Sequence, residues 1–83
     1  MKDIKLDNNT ILVVQGSFAI QNYKKAILNY FYDNPDRNIK LKYIKYKKKK
    51  VYEIYRDNKN LNFYLLKCKN RFKFGYLKNQ GKI

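Results

Sequence analysis

The spacing of apolar residues changes along the chain, and each change predicts an element. Ile4 and Leu6 precede an Asp7-Asn8-Asn9 turn signal, which predicts a short strand or extended arm. Thr10–Gln15 is rich in β-branched residues and predicts a buried strand ended by Gly16. Ser17 is then a natural helix N-cap, because its hydroxyl can accept a free backbone N–H. From Phe18 the period becomes helical. Ile20, Tyr23, Ile27, Tyr30 and Phe31 share one face, while Gln21, Lys24, Lys25 and Asn29 fall elsewhere. The helix is expected to run to about Tyr32, to stop at Asp33-Asn34-Pro35, and to cover a sheet.

Residues 38–78 read as β-structure throughout. Ile39-Lys40-Leu41-Lys42-Tyr43 alternates in one phase and Ile44-Lys45-Tyr46-Lys47 in the other, which predicts a β-bulge between Tyr43 and Ile44. Val51–Arg56 is the next strand, with Lys47–Lys50 near the hairpin tip and Asp57-Asn58-Lys59-Asn60 as the following turn. Leu61–Lys69 is apolar on both faces around Phe63–Leu66, which predicts a central strand. Phe72–Leu77 closes the sheet, and Asn79–Ile83 is expected to be a frayed tail. The expected fold class is α+β: one helix packed on an antiparallel β-meander, in the order β-α-β-β-β-β. Eighty-three residues allow a single small domain. Within it, residues 10–36 form a strand–helix unit and residues 37–78 a basic meander.

Charge divides the chain at the same place. Residues 1–36 carry four lysines and four aspartates, whereas residues 37–83 carry sixteen Lys/Arg against Glu53 and Asp57, giving a net +14. Nine Tyr and five Phe are too many for a disordered basic arm. Arg37, Lys40, Lys42, Lys45, Lys47, Lys48, Lys49, Lys50 and Arg56 interleave with Tyr43, Tyr46, Tyr52 and Tyr55. Cations track phosphates by counterion release, and exposed tyrosines such as Tyr46 can stack bases. The same tyrosines could instead fill the core, since alternation turns half of them inward. Four consecutive lysines at a turn repel one another, which folding alone does not reward. A second set, Lys67, Lys69, Arg71, Lys73 and Lys78, extends the same footprint if its strands neighbour the hairpin; otherwise it guards an edge strand against aggregation. Lys, Asn, Ile and Tyr also belong to AT-rich codons, so coding bias accounts for part of the lysine content.

Composition argues against several function classes. The chain has no histidine, which removes the usual general base and the commonest zinc ligand. One cysteine, Cys68, leaves no internal disulfide, and with no partner base it reads as a buried strand residue. There is no phosphate-cradling glycine loop and no paired carboxylates in a plausible cleft, so the expectation is a non-enzyme without cofactor or metal. No apolar run approaches a membrane span and no signal-peptide core is visible, so a cytoplasmic or organellar location is expected.

Leu12-Val13-Val14-Gln15-Gly16-Ser17-Phe18, followed by Tyr23, Ile27, Tyr30 and Phe31, resembles the α/β segment of the beta subunit of translation initiation factor two. It is similar, too, to the N-terminal domain of initiation factor five. Leu61–Cys68 looks like that family's aromatic strand leading to the third cysteine of its zinc ribbon. The match covers about half the chain and departs from the family at several points. Ser17 stands where the family has arginine, Tyr32–Asn38 lacks the first Cys-x-x-Cys knuckle, and Arg71 occupies the fourth cysteine position. A tetrahedral zinc site needs four ligands, so the ribbon's metal cannot be held. The resemblance implies that 39–56 and 61–69 form a metal-free replacement for the ribbon. It also implies contact with the ribosome, initiator tRNA or an initiation GTPase, as in a viral or organellar mimic.

The leading expectation is an RNA-binding module of the translation apparatus, with RNA favoured over DNA. Two others stand beside it: a virus- or mobile-element-encoded inhibitor that places its basic sheet on a host protein, and a two-stranded ribbon for a DNA major groove.

Overall fold

A computed structural model describes residues 3–79. Its single sheet has six antiparallel strands in the order β1-β2-β6-β5-β4-β3. These are β1 (Asp3–Lys5), β2 (Thr10–Ala19), β3 (Ile39–Tyr46), β4 (Lys49–Arg56), β5 (Lys59–Cys68) and β6 (Arg71–Asn79). A 3₁₀ turn (Ile20–Asn22) leads into the one helix, α1 (Tyr23–Tyr30), between β2 and β3. Strands β3 to β6 are the expected meander, and β5 is central, with Leu65 and Leu66 buried on opposite faces. Positions 80–83 of the expected frayed tail lie outside the described residues, and Asn79 is the last residue of β6. No helix among the described residues is long and apolar enough to cross a membrane.

Both sheet faces carry a core. On the first, Ile27 and Leu28 of α1 bury against Ile39, Ile54, Leu65, Phe72 and Phe74, with Phe18, Tyr23, Phe31 and Phe63 around them. Phe63 stacks on Phe74 at 5.0 Å, and Phe31 meets Phe63 edge-on at 5.1 Å. On the second face Leu6, Leu12, Val14, Val51 and Leu66 bury together, with Ile4, Ile44, Tyr46, Tyr64 and Leu77 against them. Residues of the N-terminal arm thus meet residues of the β3–β4 hairpin, although β1 and β3 are the two sheet edges. Only a strongly coiled sheet brings them together.

The coil has a local cause. Val14 pairs with Gly75 and Gly16 with Phe74, so Gln15 is an extra residue in β2. Before this bulge Leu12 and Val14 face the second core; after it Phe18 faces the first. Gly16 therefore continues the strand rather than ending it. Ser17 is not a helix cap: it pairs with Lys73, and its hydroxyl accepts from Arg71 Nε at 3.1 Å. The helix begins at Tyr23 instead of Phe18, because Phe18 and Ala19 are held in the ladder by Phe72 and Arg71.

The bulge expected between Tyr43 and Ile44 is absent. Register runs unbroken from Ile39↔Arg56 to Tyr46↔Lys49. The change of phase arises because Leu41 packs under the helix while Ile44 packs into the second core. A second irregularity lies in β5, where Leu61, Asn62 and Phe63 stand opposite the single residue Ile54 and Asn62 takes φ 61°.

Helix α1 ends in a Schellman arrangement, with Tyr32 N–H on Asn29 O at 3.1 Å and Asp33 N–H on Leu28 O at 2.8 Å. Glycine normally fills the left-handed position, but here Tyr32 adopts φ 56° with its side chain 96 % exposed. Replacing Tyr32 with glycine removes that strain and few contacts. It is expected to raise stability by about 1 kcal/mol, read as a rise in Tm of about 4–8 °C. An unchanged or lower Tm would show that the tyrosine ring contributes packing of its own.

Candidate nucleic-acid interface

Three two-residue turns join the meander: Lys47-Lys48, Asp57-Asn58 and Lys69-Asn70. Asp57 and Asn58 both take positive φ, the conformation a type I′ hairpin requires. The other two turns point to the opposite end of the sheet, and each holds one lysine in the left-handed region, Lys47 at φ 54° and Lys69 at φ 56°. For a side chain other than glycine this conformation costs on the order of 1 kcal/mol. At both tips a glycine or asparagine would serve the turn better, and a cation stands there instead.

These tips lie side by side. The β4–β5 ladder begins at Val51↔Leu66, and above that pair the two hairpins separate around a groove of about 460 Å³. Lys48, Lys49, Lys50, Lys67 and Lys69 line it together with Leu66 and Cys68, and no carboxylate does. Lys45 stands beside Lys50 on β3. Arg71 and Lys73 follow on β6, on the sheet face opposite the helix. The two basic sets of the sequence therefore meet at their hairpin tips, while Lys45 and Lys67 point to the helix face and Arg71 and Lys73 to the other. Neither β5 nor β6 is an edge strand, which removes protection of a sheet edge as the reason for Lys67, Lys69, Arg71 and Lys73. Cys68 is half-buried, packed against the second core, and borders the groove.

Arg37 and Arg56 lie elsewhere. Arg56 donates to Asp33, and Arg37 to Asp57, with Arg37 also 3.6 Å from Asp33. The Arg37 bond, aided by the Asn38 backbone N–H, holds the Asp57 carboxyl below its ordinary value. Arg56 also lies over the Phe31 ring at 5.9 Å. These two cations tie the helix end to the β4–β5 turn, and their charge is already matched by carboxylates. Lys40 and Lys42 are exposed on edge strand β3, facing away from the helix.

Tyr46 is half-buried against the second core, beneath the N-terminal arm. Close by, Asp7 is held below its ordinary carboxylate range, chiefly by the Asn9 N–H it accepts and in part by the Lys47 ammonium. Tyr52 is likewise part of the packing under the helix, and Tyr43, beside it at 5.4 Å, is half-exposed. A larger recess of about 720 Å³, which no motif in the sequence marks, lies between α1 and the loop that follows it. Its walls include Lys24, Lys25, Leu28, Pro35 and Arg37. In the sequence Pro35 is visible only as a helix stop, and the fold alone sets it in one wall with Leu28.

Among the described residues no group of three or more His, Cys, Asp or Glu side chains could hold a metal ion. Neither a family model, nor a curated protein, nor a solved structure matches this chain.

Proposed function

We propose that this chain is a nucleic-acid-binding module, with RNA favoured over DNA, that grips phosphates in the groove between its two lysine-rich hairpin tips. The observation that carries this reading is the groove itself: five lysines from two adjacent hairpins, no carboxylate among them, and the ladder parted where they meet. Like charges so arranged repel one another until a polyanion enters, and each phosphate neutralised releases counterions. The gap between splayed tips suits a single phosphate backbone better than the broad face of a duplex. A ribbon for the DNA major groove is disfavoured because Val51 and Tyr46 anchor the β3–β4 hairpin in a core. A role in translation, as a ribosome-associated or initiation-factor-like domain, rests on the sequence resemblance alone.

Titrating the chain with labelled single-stranded RNA, duplex RNA and single-stranded DNA over about 50 to 200 mM salt tests the proposal. The expected result is tightest binding to single-stranded RNA, with log affinity falling linearly in log salt by about 0.7 per contacted phosphate. Affinity that ignores salt, or a nuclease-resistant protein complex without nucleic-acid binding, would overturn it in favour of a protein-directed inhibitor.

A further inference from the structure

Phosphate contacts position a nucleic acid but do not read its bases. Groups suited to reading stand on the sheet face opposite the helix, beyond the part covered by the N-terminal arm. Register places Lys42, Glu53 and Tyr64 in one row across β3, β4 and β5. Tyr55 lies on the same face, two residues along β4, and its hydroxyl donates to Glu53 Oε1 at 3.0 Å. Lys42 is exposed, and Glu53, Tyr55 and Tyr64 are half-buried, each with an edge open to solvent.

Glu53 is conspicuous by its surroundings. It is one of two carboxylates in residues 37–83, and the other, Asp57, is engaged by Arg37. Among the described residues the ion pairs are made by Asp33 and Asp57, and Glu53 makes none although Lys42 stands opposite. Its negative charge is felt by both neighbouring phenols. Tyr55 is pushed above its ordinary value chiefly by its bond to Glu53, and Tyr64 chiefly by burial and then by the Glu53 charge. A carboxylate in a field of lysines that would attract phosphates works against a purely electrostatic surface.

We propose that Glu53, Tyr55 and Tyr64 form a base-reading site that prefers an unpaired guanine, an inference that rests on the nucleic-acid reading above. An ionised carboxylate is acceptor-only, with about four lone-pair sites, of which Tyr55 uses one and thereby orients the group. Guanine alone presents two adjacent donors, N1–H and N2–H₂, on its Watson–Crick edge. Uracil offers a single N–H between two carbonyls that a carboxylate repels, and adenine and cytosine offer one amino group beside an acceptor nitrogen. The Tyr64 ring supplies a stacking surface, as unpaired bases commonly require. Lys42 is placed to hold a flanking phosphate. Lys49, which pairs with Tyr46, is the groove lysine on the same face as Glu53, four residues and about 13 Å along β4, so one short single strand can reach both sites.

The test is anisotropy with U-rich single-stranded oligonucleotides that differ at one central position, carrying G, A, C or U. The wild-type chain is expected to favour G by about tenfold. Glu53→Gln is expected to lose that ratio while binding all four at least as tightly as wild type binds U. Lys48→Gln with Lys49→Gln is expected to weaken all four equally and keep the ratio. Equal wild-type affinity for the four bases overturns base reading and leaves phosphate binding standing. A G preference that survives Glu53→Gln overturns the assignment to this carboxylate. Absence of binding to every oligonucleotide overturns both readings. Should Glu53→Gln fail to fold, Tyr55→Phe, which removes only the hydroxyl that orients Glu53, is expected to reduce the G preference, and an unreduced preference overturns the assignment.

Discussion

Replacing Lys48, Lys49, Lys50, Lys67 and Lys69 together with glutamine is expected to lower affinity for single-stranded RNA about a hundredfold near 0.1 M salt. The slope of log affinity against log salt should flatten by up to about 3.5, from about 0.7 for each of five phosphate contacts. The reason is that these five side chains line one groove and have no carboxylate to share. The same substitutions relieve mutual repulsion, so Tm in low salt should hold or rise, which separates lost binding from lost folding. Arg37→Gln serves as the contrast. Its guanidinium is engaged by Asp57 and Asp33, so it should leave the salt slope unchanged. A five-lysine variant with the wild-type slope would remove the groove from the proposed function.

Gly75→Ala is expected to destabilise the fold by about 3 kcal/mol or more, enough to unfold a large fraction of so small a domain. A Cβ at this position would overlap the Val13 carbonyl oxygen and lie 2.8 Å from its carbonyl carbon and 3.1 Å from Val14 Cα. All three are backbone atoms of β2, next to the bulge at Gln15 where the strand bends over the second core. No rotamer can relieve such a clash. Relief would require β2 and β6 to part at the corner, which would uncover Leu12, Val14 and Leu77. Gly16, across the same bulge, has open space where a Cβ would stand, so Gly16→Ala should change stability by less than about 1 kcal/mol. Urea unfolding of both variants checks the pair, with the midpoint of Gly75→Ala shifted down by about 1 M or more. A Gly75→Ala midpoint close to wild type would mean that the corner can open without cost.

Much of the fold was legible because it is periodic. The three hairpin turns carry turn residues or charge at their tips, the strands between them alternate, and Leu65-Leu66 marks the central strand by being apolar on both faces. The two basic sets were legible as residues, but the meeting of their tip lysines was not. Lys50 and Lys67 are distant in sequence, and only the pairing of β4 with β5 sets them on one groove. Arg37 and Arg56 look like further phosphate ligands in sequence. Their carboxylate partner Asp33 lies beyond the helix, in the segment read as neutral.

By itself the sequence determined the class, α+β with a helix over an antiparallel meander, the neighbourhood of the first two meander turns, and the division between a neutral unit and a basic one. These follow from side-chain period and charge, which are local properties of the chain. What only the tertiary structure decided is the meaning of each change of phase. At Gln15 the phase changes because a bulge inserts a residue, and the strand continues past Gly16 into Ala19. Between Leu41 and Ile44 it changes with no bulge, because one end of β3 is covered by the helix and the other by the N-terminal arm. The two patterns look alike in one dimension. They differ only in which distant segment covers each face, and that is set by how the whole sheet coils.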